Sequence, residues 1–197
     1  MIAQLSKASV LLWLAVLLAA CTTPPSTHFL LTATMGEVPD SQSPSIGVGP
    51  IEIPEYLNRN TLVYRGQDNE LIIARQSRWA EPLEDGISRV VSLNLAELVG
   101  TENVRSFPWH PKRSPDYGVK IRILRMDTTE SEAVLVAEWV VYRPDDAEQA
   151  QREISKRSLP LIPSKPVPAQ LPAAHSALLY QLSEEIAAGI ASAGPAP

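Results

Sequence analysis

Cys21 is the only cysteine in the chain, and it stands directly behind an uncharged apolar run, Val10 to Ala20. A helix that crosses a bilayer needs about 20 apolar residues, so a run of about eleven reads as the core of an export signal. Met1–Lys7 ahead of it supplies the amino terminus and one lysine, a minimal positive start. The run ends Leu18-Ala19-Ala20-Cys21. Small residues at 19 and 20 suit a signal-peptidase cleft, and the thiol is where a diacylglyceryl group is attached. Cleavage before Cys21 then frees an amine for a further acyl chain such as palmitate. The competing readings are a plain secretory signal with a chance cysteine, and an uncleaved anchor. A single cysteine allows no internal disulfide, and a lone exposed thiol is a liability in an exported chain, whereas an acylated one is not. The division is therefore a signal peptide at 1–20, an acylated cysteine and tether at 21–27, and one domain at 28–197, which must hold itself together through its own core.

That domain is long enough to bury one. At 45% hydrophobic and 20% charged, the composition is globular, not disordered. The net charge is −5, and becomes −6 once Lys7, the one charge ahead of Cys21, leaves with the signal. No basic surplus exists to neutralise phosphates, which argues against nucleic acid as a partner. Thr22 follows Cys21 in place of the aspartate that retains such proteins in the inner membrane. The expected location is the outer membrane, lipid-anchored and facing the periplasm. Thr22–Thr27, with Pro24 and Pro25, reads as a tether that lets the domain stand off from the bilayer.

Along the domain, His28–Thr32 is a short apolar strand candidate and Met35–Pro44 a loop. In Ser45–Ile53 the apolar alternation changes phase at Gly49-Pro50, from Ile46 and Val48 to Ile51 and Ile53, which predicts a β-bulge there. Pro54–Leu57 is a turn. Thr61–Arg65 and Glu70–Ala74, joined by Gly66–Asn69, form a predicted hairpin. Trp79–Pro82 leads into a helix with Pro82 in its first turn, Glu84 and Asp85 near its start, and Gly100 at its end. Leu83, Ile87, Val90, Val91, Leu95 and Leu98 share one side of it, with Asn94 among them as a core residue bonded to backbone. Val104–Phe107 is a short strand and Trp109-His110-Pro111 a loop. Tyr117–Met126 alternates with Val119, Ile121 and Ile123 inward, Ala133–Tyr142 fits a central strand, and Arg152–Leu159 runs antiparallel to it after the turn at Pro144–Asp146. The proline-rich stretch from Pro160 to Pro172 crosses to a second helix from about Ala173 to Ala191, with Leu171, His175, Leu178, Leu182 and Ile186 as its stripe; residues 192–197 form a tail. The fold class is α+β, a mostly antiparallel or mixed sheet with two amphipathic helices packed on one face.

A search for chemistry yields little. His28, His110 and His175 are far apart and no second cysteine exists, so no zinc spacing arises, and no cofactor site is expected. The sequence has no nucleophile elbow, P-loop or dinucleotide fingerprint. His175 reads as a packed histidine, and Glu81, Glu84 and Asp85 as the acidic opening of a helix instead of an acid–base cluster. No catalytic residues are assigned, and the chain is expected not to be an enzyme.

Three segments together carry a family likeness: the Leu18–Cys21 lipobox, Ile46–Leu57 with its Gly49-Pro50 and Pro54-Glu55-Tyr56-Leu57, and above all Arg78-Trp79-Ala80-Glu81-Pro82-Leu83. They resemble the PqiC (YmbA-like) family of ABC-type transport auxiliary lipoproteins, over nearly all of the mature chain. The proline-rich passage before the second helix departs from the pattern. The resemblance implies an accessory outer-membrane lipoprotein in an MCE-type, PqiABC-like system for lipid movement between membranes and envelope integrity. It also implies three kinds of partner: a periplasmic MCE-domain tunnel protein, that protein's inner-membrane partner, and further copies of the chain in a homo-oligomeric ring. Trp79, Glu81, Pro82, Tyr56 and Leu57 are the candidate oligomer or partner interface; their bland role is to set the approach to the first helix and to shape a turn. Trp109 and Tyr117, expected to be exposed in loops, are further candidates for partner contact. A structural or assembly scaffold lipoprotein of the outer membrane, and an exported enzyme whose site no motif reveals, are the alternatives.

Overall fold

The computed structural model describes residues 25–194 apart from 35, 37–40, 67 and 130. The signal peptide, Cys21, the first part of the tether, much of the Met35–Pro44 loop and the end of the tail lie outside the described residues. In chain order the elements are β1 (Thr27–Phe29), β2 (Ile46–Glu52), β3 (Thr61–Arg65), β4 (Leu71–Trp79), α1 (Leu83–Val99), β5 (Val104–Ser106), β6 (Tyr117–Thr128), β7 (Glu132–Arg143), β8 (Asp146–Pro160) and α2 (Val167–Ser192). Short 3₁₀ turns occupy Glu55–Leu57 and Pro111–Arg113.

The α+β class holds, with mixed pairing throughout, but the strands divide between two sheets. The larger has the order β5-β2-β6-β7-β8, parallel across β5, β2 and β6 and antiparallel from there on. The smaller has the order β1-β4-β3, with β1 parallel and β3 antiparallel to β4. Alternation builds the large sheet as expected: Val119, Ile121 and Ile123 of β6 are buried, and so are Ala133, Leu135, Ala137, Trp139 and Val141 of β7. Both helices cover this sheet, α1 on β2 and β5, α2 on β7 and β8, and they pack on each other. Gly189 lets α2 approach closely, since a Cβ there would lie 2.9 Å from the Trp139 ring.

The phase change in β2 is resolved as predicted. Its register against β6 shifts between Val48 and Ile51, so Ile46, Val48 and Ile51 are all buried. Gly49 takes φ +121, and a Cβ on it would come within 2.6 Å of Phe107 Cβ. Pro50, which has no N–H to donate, sits at the irregularity of an otherwise internal strand.

α1 ends as expected at Gly100, left-handed at φ 81, whose N–H donates to the Ala96 carbonyl. Pro82 is not in its first turn; it is the residue just ahead, extended at ψ 133, and its carbonyl accepts from the Gly86 N–H at 3.0 Å. Asn94 is buried and bonded: Oδ1 accepts from the Thr34 N–H at 3.2 Å, and Nδ2 donates to Ser183 Oγ.

Several boundaries and side-chain exposures differ from the sequence expectation, among them β8, which begins at Asp146 and not at Arg152. β4 runs on to Trp79, making that residue a strand end that pairs with Phe29 of β1. β1 begins at Thr27, which shortens the tether. Tyr117 is not an exposed loop residue: it opens β6 at 2% exposure, and its hydroxyl donates to the Gly194 carbonyl. Trp109 is half-buried, edge-on to Phe107 and set over Gly47. Finally, α2 begins at Val167, well ahead of Ala173, with Pro168 and Pro172 both inside it. Pro168 falls in the first turn, where no N–H is needed, and Pro172 is buried beside Leu171, so packing offsets its missing bond. Gln170 fastens this start: Oε1 accepts from the Ile162 N–H at 2.7 Å and Nε2 donates to the Lys165 carbonyl at 3.0 Å.

Candidate functional site

The corner where β4 meets α1 is built from Arg78–Leu83. Backbone pairing fixes it: the Trp79 N–H donates to the Asn60 carbonyl at 2.7 Å and the Ala80 N–H to the Phe29 carbonyl at 2.9 Å. The chain must turn there from a strand into a helix, and Pro82 gives the extended residue that the turn needs. Glu81 is half-buried and paired with Arg89 of α1, whose Nη2 also donates to the Leu31 carbonyl at 2.9 Å. One carboxylate and one guanidinium thus tie α1 to the segment after β1.

Beside this corner lies an open cleft of about 420 Å³, lined by His28, Asn58, Arg59, Asn60 and the Trp79–Leu83 segment. Three of the five candidate interface residues, Trp79, Glu81 and Pro82, therefore share one cleft. Tyr56 and Leu57 are not in its lining. Leu57 is a core side chain, 4% exposed, and Trp79 is 7% exposed, so both act mainly through packing. The Asn58-Arg59-Asn60 wall was not singled out in the sequence; three polar residues between a turn and a strand are the ordinary look of a solvated loop.

Behind the cleft Trp79 stacks on His175 of α2, with ring centroids 6.4 Å apart and planes at 29°. The packed reading of His175 is borne out, with one unusual feature. Among the described residues neither imidazole nitrogen has a hydrogen-bond partner. Burial lowers its pKa from 6.5 to about 4, while the Asp127 backbone and carboxylate pull weakly the other way. The ring is therefore neutral at pH 7.

Tyr56 belongs to a different cluster, one the sequence did not suggest. Its hydroxyl donates to Asp127 Oδ2 at 3.5 Å and accepts from the Met126 N–H at 3.4 Å, and burial raises its pKa. Asp127 is fully buried on β6 and accepts from Arg65 of β3 at 3.0 Å and from Arg125 at 2.5 Å. Arg65 and Thr128 add a backbone link, each donating to the other at 3.1 Å. This cluster joins the small sheet to the large one. Its signal in the sequence is faint: Arg125 and Asp127 stand where the apolar alternation of Val119, Ile121 and Ile123 stops.

Among the described residues no group of three or more His, Cys, Asp or Glu side chains is placed to hold a metal, and no helix is long and apolar enough to cross a membrane.

The model of the family described as ABC-type transport auxiliary lipoprotein component matches residues 29–187, from the end of β1 to deep in α2. The chain belongs to that family. The likeness carried by the Gly49–Leu57 and Arg78–Leu83 segments is thereby borne out at family level, and the protein is a transport auxiliary lipoprotein of the cell envelope. Its fold is shared with two solved structures. One, from Xanthomonas campestris and assigned to the DUF330 family, is 16% identical with a TM-score of 0.66, covering 82% of this chain and 93% of that one. The other, an uncharacterized protein, is 18% identical with a TM-score of 0.64, covering 85% and 99%. No curated protein matches the chain.

Proposed function

We propose that this lipoprotein is a non-enzymatic accessory subunit of an MCE-type, PqiABC-like intermembrane lipid transport system that supports envelope integrity. The observation that carries the reading is the family match across residues 29–187, whose family is defined by its auxiliary part in ABC-type transport. In this reading residues 1–20 are removed, Cys21 carries the acyl chains, and Thr22 in place of aspartate directs the protein to the outer membrane, facing the periplasm. Acylation at more than one position on Cys21 exceeds the marginal hold of a single chain. The domain of residues 28–197 then meets the end of a periplasmic MCE-domain tunnel, as a homo-oligomeric ring, with that tunnel's inner-membrane partner beyond.

Of the candidate interface residues, Glu81 and exposed Pro82 at the cleft are the ones with surface to offer a partner; Trp79 holds the shape beneath them, while Leu57 lies in the core and Tyr56 in the Asp127 cluster. The test is envelope crosslinking in cells, with a crosslinkable group at Pro82. Recovery of an MCE-domain protein is the expected result. Repeated recovery of other envelope proteins, with no lipid-permeability defect on deletion, would replace this reading with that of an assembly scaffold.

A further inference from the structure

We infer that the outward face of the β3–β4 hairpin rests against the anionic phospholipid headgroups of the bilayer that holds Cys21. This rests on the reading of Cys21 as the lipid anchor. Cys21 is separated from Pro25, where the described chain begins, by so few residues that fully extended backbone spans at most about 14 Å. A domain of this size is on the order of 40 Å across. The anchor therefore cannot reach around the molecule, and the end of the domain that carries β1 must lie near the membrane.

β1 fixes which surface that is. It pairs in parallel with β4, Thr27 beside Ser77, so the chain enters β1 from the side on which the lower-numbered residues of β4 lie. Pro25 has no N–H to donate and cannot carry the pairing further back. Along β4 from there, Ile73 is 45% exposed and Leu71 40%, two large aliphatic side chains facing out of the small sheet. Arg75 shares their exposure, and Arg78 lies beside the start of β1, touching Ser26 and Asn60. Asp68 and Glu70 at the hairpin turn offset part of this charge and Arg65 is taken up by Asp127, yet residues 59–78 keep three further arginines against these two carboxylates in a chain whose net charge is −5. Aliphatic side chains with a basic rim, held close to an acylated residue, suit a phospholipid surface.

The sequence makes the test clean, because acylation consumes the only cysteine. In the full lipidated chain, Ile73→Cys places one free thiol on the hairpin for an environment-sensitive fluorophore. Ile154→Cys, at a residue 65% exposed on β8, serves as the reference. In vesicles of phosphatidylethanolamine and phosphatidylglycerol bearing a headgroup quencher, the probe at 73 should be quenched and the probe at 154 should keep its intensity. Raising the salt or replacing phosphatidylglycerol with phosphatidylcholine should weaken the quenching at 73. Equal response at the two positions, with the protein still bound to vesicles, overturns the inference while leaving the anchor intact. A probe at 73 shielded from aqueous iodide but untouched by the lipid quencher also overturns it, and assigns the face to a second copy or another protein. Failure of the protein to associate with vesicles at all removes the anchor, and the inference with it.

Discussion

Along β6 and β7 of the large sheet, alternate side chains disappear beneath two helices, whereas in the small sheet Leu71 and Ile73 face outward and a buried carboxylate makes the join to the rest. The large sheet is secured by area. Trp139 illustrates it: 1% exposed, capped by Gly189, with its indole N–H donating to Ser155 at 2.9 Å. The small sheet has a three-residue β1 and a hairpin, attached through buried Leu62, the Arg65–Thr128 link, Asp127 with its arginines and the Trp79–His175 stack. Apolar burial spreads a perturbation over many neighbours, while a buried charge concentrates it on one. The small sheet is therefore the region that a single substitution, or a change of pH, can loosen on its own.

The largest effect is expected in the large sheet. Trp139→Ala should cost about 3–5 kcal/mol in denaturant unfolding and reduce protection of amides throughout the molecule. Asp127→Ala should cost about 3 kcal/mol, at the low end for a broken buried pair because the Arg65 and Arg125 side chains, each 30% exposed, can turn towards water. Its signature should be local, with hydrogen exchange rising in β3 and β4 before β6 and β7. If amides of both sheets lose protection together in that variant, the contrast between the regions fails.

His175 sharpens the contrast through pH. Its folded-state pKa of about 4 lies below the unfolded value of 6.5, so between the two the unfolded chain binds the extra proton. Stability should be full above pH 6.5 and fall as pH drops towards 4, by roughly 3 kcal/mol in total. His175→Leu should flatten that part of the profile, and an unchanged slope would assign the acid sensitivity to other groups. A smaller cost, about 1–3 kcal/mol, is expected for Gly49→Ala, from the positive φ and the contact with Phe107, without selective loosening of the hairpin.

What could be read from the sequence follows distance along the chain. The β2 bulge, the Gly100 stop of α1, the β3–β4 hairpin and the inward residues of β6 depend on neighbours a few positions away, and all are as expected. The separation into two sheets was not legible, because it depends on β1 choosing β4 as partner. The start of α2 was misplaced because Pro172 argues against helix locally, while burial with Leu171 and the Gln170 bonds decide it from outside. Tyr117 looked like an exposed loop aromatic because its contact, Gly194, comes from the end of α2. The candidate site shows the same division. Trp79, Glu81 and Pro82 stay together because they are sequential, while Tyr56 is drawn to Asp127 and Trp79 to His175 across long stretches of chain.

Everything proposed about where the protein works depends on Cys21. The most direct measurement is fractionation of cells that express the full chain or its Cys21→Ala variant, with the envelope separated into inner and outer membranes. The parent chain should sediment with the outer membrane, and the variant should still be exported but appear in the soluble periplasmic fraction. Membrane retention unchanged by Cys21→Ala would contradict the lipid anchor, and with it the proposed location of the domain.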